Sequence, residues 1–157
     1  MIVKNVFFEC IAAHLEVRER IKAGAGGGEN DDVALLSIGS VGNLATEAIE
    51  RVAIKGISVA HYDMRFLKPI DEDILHEVGR KYKRIITLEN GTIKGGLGSA
   101  VLEFMADHGY HPDIHRMGIP DEFVEHGSVP ELCRLCGIDV ESIVKEIEKR
   151  RPPLREN

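Results

Sequence analysis

Val33-Ala-Leu-Leu-Ser-Ile-Gly-Ser-Val-Gly-Asn43 decides the fold. The uncharged run Val33–Ile38, bounded by Asp32 and Gly39, predicts a strand buried on both faces. Leu44, Ala45, Ala48, Ile49 and Val52 then recur at helical spacing, so the segment reads strand, turn, helix. The same order returns downstream. Ile57–Tyr62 is β-branched enough for a strand; Pro69 ends any extension of it, and Asp71-Glu-Asp73 supplies acid to the first turn of a helix that turns Ile74, Leu75 and Val78 inward. Arg84–Leu88 predicts a third strand, and Gly95–Ser99 opens a helix with Val101, Phe104 and Met105 on one face. Asp113–Met117 predicts a fourth strand, followed by a turn at Gly118-Ile-Pro-Asp121.

Two short helices close the pattern. Ser128-Val-Pro-Glu131 has the spacing of a capping box, and Gly137 ends the helix it starts. Asp139 caps a last helix with Val140, Ile143, Val144 and Ile147 at i, i+3, i+4 and i+7, which Pro152-Pro153 stops. Strands alternating with helices at this spacing imply an α/β fold with a largely parallel sheet covered on both faces.

The bulk numbers fit one domain. A chain of 157 residues can bury a single core, and a net charge of -6 argues against nucleic acid or an anionic membrane as partner, since both reward a basic face. The basic stretch Lys145–Arg155 is mixed with Glu146, Glu148 and Glu156 and reads as a solvated helix face. Cys10, Cys133 and Cys136 are too few for a disulfide framework, which points to a reducing, cytoplasmic setting. Glu9 interrupts the apolar start of the chain, and no apolar run approaches the ~20 residues of a membrane span. Residues 1 to about 22 carry a helix-like pattern; Gly24-Ala-Gly-Gly-Gly28 and Glu29-Asn-Asp-Asp32 then predict a flexible, protease-sensitive loop. The domain proper is expected over 33–150, with 1–32 a separate N-terminal segment and 151–157 a tail.

Chemistry has two candidate places. The loop Gly95-Gly96-Leu97-Gly98-Ser99 combines close backbone approach with a helix N-terminus, a pairing that suits an anion such as phosphate. It has neither the lysine of a P-loop nor a dinucleotide fingerprint, and close packing of strand against helix is the competing explanation for its glycines. Asp63, Arg65 and Lys68 follow the second strand, on the edge where open α/β sheets place ligands; they could position a substrate or brace the loop. His108, His111 and His115 straddle Pro112, so they cannot share one helix face as a zinc site would require. Cys133 and Cys136 make a single C-x2-C inside a capped helix and read as core or partly exposed thiols, while His126 lies in a polar turn. No residue is assigned as catalytic and none as a metal ligand.

Taken together, Asp63-Met-Arg-Phe-Leu-Lys-Pro-Ile-Asp71, Gly95-Gly-Leu-Gly-Ser-Ala-Val-Leu-Glu103 and Gly118-Ile-Pro-Asp-Glu-Phe-Val-Glu-His-Gly-Ser128 resemble the C-terminal domain of transketolase-like, thiamine-diphosphate-dependent enzymes. Among these, the 1-deoxy-D-xylulose-5-phosphate synthase family is the most similar, from about Val33 to Lys149. The resemblance implies a three-layer α/β/α domain with a five-stranded sheet, one strand antiparallel, and places the missing strand around Glu19–Ala23. It implies that the glycine loop is a shared structural feature rather than the diphosphate site. It also implies that thiamine diphosphate, magnesium and the catalytic groups belong to upstream domains, so that this chain is a piece of a longer, homodimeric enzyme. The C-terminal domain of a transketolase or of a 2-oxo-acid dehydrogenase β subunit, and a free-standing anion-binding regulatory module, stay open as alternatives.

Overall fold

The computed structural model describes residues 20–21 and 33–150. The strands are β1 (Arg20–Ile21), β2 (Val33–Ile38), β3 (Val59–Asp63), β4 (Arg84–Thr92) and β5 (Asp113–Ile119). The helices are α1 (Val41–Ala53), α2 (Glu72–Lys81), α3 (Leu97–Asp107), α4 (Val129–Leu135) and α5 (Val140–Arg150). The strands form one sheet in the order β1-β3-β2-β4-β5. All neighbours are parallel except β1 and β3, which pair antiparallel through Arg20 with Tyr62 and Ile21 with His61.

Alternation along β2 divides the core into two. Val33 and Leu35 face one side, where they pack with Ala45, Ile49 and Val52 of α1 and Ile143 and Ile147 of α5. Ala34 and Leu36 face the other, against Leu75 and Val78 of α2 and Leu97, Val101 and Met105 of α3. This is the expected three-layer arrangement, and the central strand is buried on both faces because helices cover both.

Several boundaries differ from the sequence expectation. β3 starts at Val59 rather than Ile57, and β5 continues through Gly118 and Ile119, which the sequence assigned to a turn. β4 runs past Leu88 to Thr92 because its pairing with β5 is irregular between those residues, which lets the strand resume after a break. Arg20–Ile21 is a strand and not part of a helix-like segment, as the family resemblance placed it. The remaining N-terminal expectations, the glycine loop 24–28 and the tail after Arg150 lie outside the described residues.

The chain runs from β2 to β3 on one side, then crosses back over β2 to β4. The connection therefore reverses direction between β2 and β4, and the crevice beyond their carboxyl ends is where a sheet of this kind offers a ligand site.

Candidate functional site

At the carboxyl edge of the sheet the chain's own polar side chains pair with one another. At the reversal point, Asn90 at the end of β4 donates its amide to Ser40 Oγ over 3.3 Å. Gly39, at φ +84, lets Asn90 fold in: a Cβ there would sit 2.6 Å from Asn90 Oδ1.

Beside it, Glu89 governs the glycine loop. Its side chain is buried, and its two oxygens accept from the amides of Leu97 at 2.8 Å and Gly98 at 3.0 Å. These are unpaired donors of the first turn of α3, so a fixed carboxylate lies where a free anion would bind. The glycines make room for this arrangement. A Cβ on Gly96 would lie 1.9 Å from Glu89 Oε2, and one on Gly98 would meet both Thr87 Oγ1 and Arg116 Cδ at 2.7 Å. Ser99 completes the loop by accepting from the Gly95 amide at 2.9 Å and from Arg116 at 3.2 Å; Arg116 also donates to the Ile93 carbonyl at 2.9 Å. A diphosphate does not fit here, because the amides it would use are taken and the occupying group carries the same charge.

Asp63 ends β3 and Arg65 follows it, two strands away from the glycine loop in the sheet order, so the structure does not bring the two candidate features together. Asp63 accepts from the Arg65 amide at 3.2 Å and faces its guanidinium at 3.6 Å. Arg65 has φ 53, a left-handed conformation that this local bond supports. Lys68 is exposed. Asp63 and Arg65 fold the loop onto itself, and Met64 between them ties it to the sheet by donating to the Ser37 carbonyl at 2.9 Å.

Among the described residues the histidines join no group of three or more that could hold a metal ion. His108 caps α3 and stacks on Phe104 at 4.1 Å, His115 on β5 faces Glu146 at 3.6 Å, and His126 is exposed. Cys133 and Cys136 are half-buried free thiols packed against the core, and burial pushes the Cys136 thiol up. Sequence reasoning passed over His61, which lies inside the sheet with Nε2 2.8 Å from Ser37 Oγ. It sits between Ala60 and Tyr62, and only the register that sets β2 beside β3 reveals its partner. Its Nδ1 is buried without a partner, and burial holds its pKa below the usual histidine range, against a weaker opposing pull from Asp63.

Among the described residues no helix is long and apolar enough to cross a membrane. Residues 27–143 match the family described as transketolase, C-terminal domain. A 1-deoxy-D-xylulose-5-phosphate synthase of Parabacteroides distasonis is 62% identical over 121 residues, covering 77% of this chain and 19% of that protein. The synthase of Bacteroides fragilis is 59% identical over 124 residues, covering 78% and 19%. Among solved structures, a protein titled split gene transketolase, inactive beta4 tetramer, superposes with a TM-score of 0.69 at 32% identity, covering 76% of this chain and 39% of that one. The chain thus spans about a fifth of the length of the curated relatives it matches. With the match running across β2 to β5 and the loops that build the sheet edge, the chain belongs to the transketolase C-terminal domain family.

Proposed function

We propose that this chain serves as the C-terminal domain of a thiamine-diphosphate-dependent 1-deoxy-D-xylulose-5-phosphate synthase, which joins pyruvate to glyceraldehyde 3-phosphate in isoprenoid biosynthesis. Its part is structural: it supports upstream catalytic domains within a cytoplasmic homodimer and contributes no catalytic residue. The observation that carries this reading is the 62% identity to such a synthase. It far exceeds the 32% to the transketolase structure, and so favours the synthase over the transketolase alternative. The geometry agrees with a supporting role, because Glu89 spends its oxygens on the amides of Leu97 and Gly98, and Asn90 donates to Ser40, rather than either serving an open cleft. Thiamine diphosphate and magnesium belong to the upstream domains in this reading, and no step of the reaction passes through the residues described here.

The test combines this chain with the Parabacteroides distasonis synthase cut just before the region that matches it. Condensation of pyruvate with glyceraldehyde 3-phosphate is expected from the mixture and from neither piece alone. Calorimetry of this chain alone is expected to show no magnesium-dependent binding of thiamine diphosphate. Micromolar cofactor binding by the chain alone, or a mixture as inactive as its parts, overturns the proposal.

A further inference from the structure

Every residue from Asp121 to Glu131 is exposed, although the stretch contains three large apolar side chains. Phe123 is 107% exposed and Val129 73%, and Leu135 on the adjoining helix α4 is also 73% exposed. Elsewhere in the described residues the large exposed apolar groups stand singly, as Ile54 and Leu102 do. Grouped exposure of this kind marks an interaction surface.

The segment is also shaped. The Ile93 amide donates to the Ile119 carbonyl at 2.8 Å, and Lys94 holds Asp121 at 2.6 Å, so its start is tied to the end of β4. At its other end the Ser128 amide donates to Glu131 at 3.0 Å, as the capping box requires. Between these anchors Phe123 is carried outward on backbone fixed at both sides. Next to it in sequence, Pro120, Asp121 and Glu122 line, together with Leu135, Lys94 and Lys145, a groove of about 640 Å³ over β5, which is the last strand of the sheet among the described residues.

We propose that the 121–135 segment, with Phe123 as its central anchor, is the surface by which this domain docks onto the upstream catalytic domains of the synthase; the proposal rests on the function proposed above. The relatives carry about four further fifths of chain joined to this domain, so a large partner is always at hand in them. A second copy of the chain fits less well, because net charge opposes pairing of two molecules that each carry -6, and Glu122 and Glu125 add carboxylates to this surface. The partner surface is an apolar pocket with a basic rim.

The test measures binding of the full chain to the truncated Parabacteroides distasonis synthase by titration. Phe123→Ser and Leu135→Ser are each expected to weaken association at least about tenfold, as loss of a central apolar anchor does. Ile54→Ser, at the end of α1, is the control and is expected to bind as the unsubstituted chain does. Thermal midpoints of all three variants are expected to match that of the unsubstituted chain, since these side chains touch little within the domain. If the unsubstituted chain binds and Phe123→Ser binds equally well, the docking surface is wrong while the proposed function stands. If the unsubstituted chain does not bind at all, both fall. If the chain alone sediments as a dimer that Phe123→Ser splits, the surface belongs to a second copy and the proposal is overturned.

Discussion

Glu89 shows how one residue changes the meaning of a motif. Glycines before a helix suggest a place for an anion, and the fold supplies one from within. The carboxylate stands upstream of the loop in the sequence, but its role depends on where β4 ends relative to α3, which spacing alone does not give. Removing it as Glu89→Ala leaves the buried amides of Leu97 and Gly98 without an acceptor, and the expected loss is about 2–4 kcal/mol. Because the vacated space is carboxylate-shaped, acetate at constant ionic strength is expected to raise the melting temperature of Glu89→Ala and not that of the unsubstituted chain. Equal responses would mean that the amides are not the binding groups. The neighbouring glycines separate two effects. Gly96→Ala forces a Cβ into Glu89 and is expected to cost about 2 kcal/mol from overpacking, whereas Gly95→Ala meets no atom within 4 Å and is strained only by φ +76, at about 1 kcal/mol. Urea titration of the two variants checks the order.

At the scale of elements, the helices were the most legible features because their signals are local. Asp71 accepts from the Ile74 amide at 3.0 Å, and Glu72 and Asp73 follow in the first turn of α2. Asp71→Ala is expected to destabilise the chain by about 1 kcal/mol, and Glu72→Ala by only a few tenths, since the second residue acts through the helix dipole without a cap bond. Denaturant midpoints for the pair decide this; similar losses would show that charge rather than capping sets the start of α2. Strand ends were harder to read. The extension of β4 past Leu88 depends on the irregular pairing with β5, and Ile57 is buried without belonging to β3. Both features are settled by neighbours distant in sequence. β1 was placed by family resemblance alone, since a two-residue edge strand carries too little pattern to be read from its own residues.

For the whole molecule, the layer arrangement was legible because β2, α1 and α3 each carry a clean burial pattern, while the contents of the sheet interior were not. His61 is the clearest case, and it gives the fold a dependence on pH. Burial disfavours its charged form, so its pKa in the folded chain lies below the ordinary 6.5 that it regains on unfolding. Between these two values the unfolded chain binds the additional proton. Stability is therefore whole above about pH 6.5 and falls as the pH drops toward the folded value. His115 acts in the same direction: burial lowers its pKa, Glu146 opposes this, and Arg150 and Lys149 add to the lowering. Urea unfolding at about pH 7.5 and about pH 5.5 is expected to show lower stability at the acidic value. His61→Gln keeps a polar partner for Ser37 but cannot titrate, so its stability is expected to change less between the two pH values. His115→Gln is expected to remove a further, smaller share, because that ring is less buried and Glu146 partly compensates it. If His61→Gln keeps the full pH dependence, proton uptake by the sheet interior is not what weakens the fold in acid.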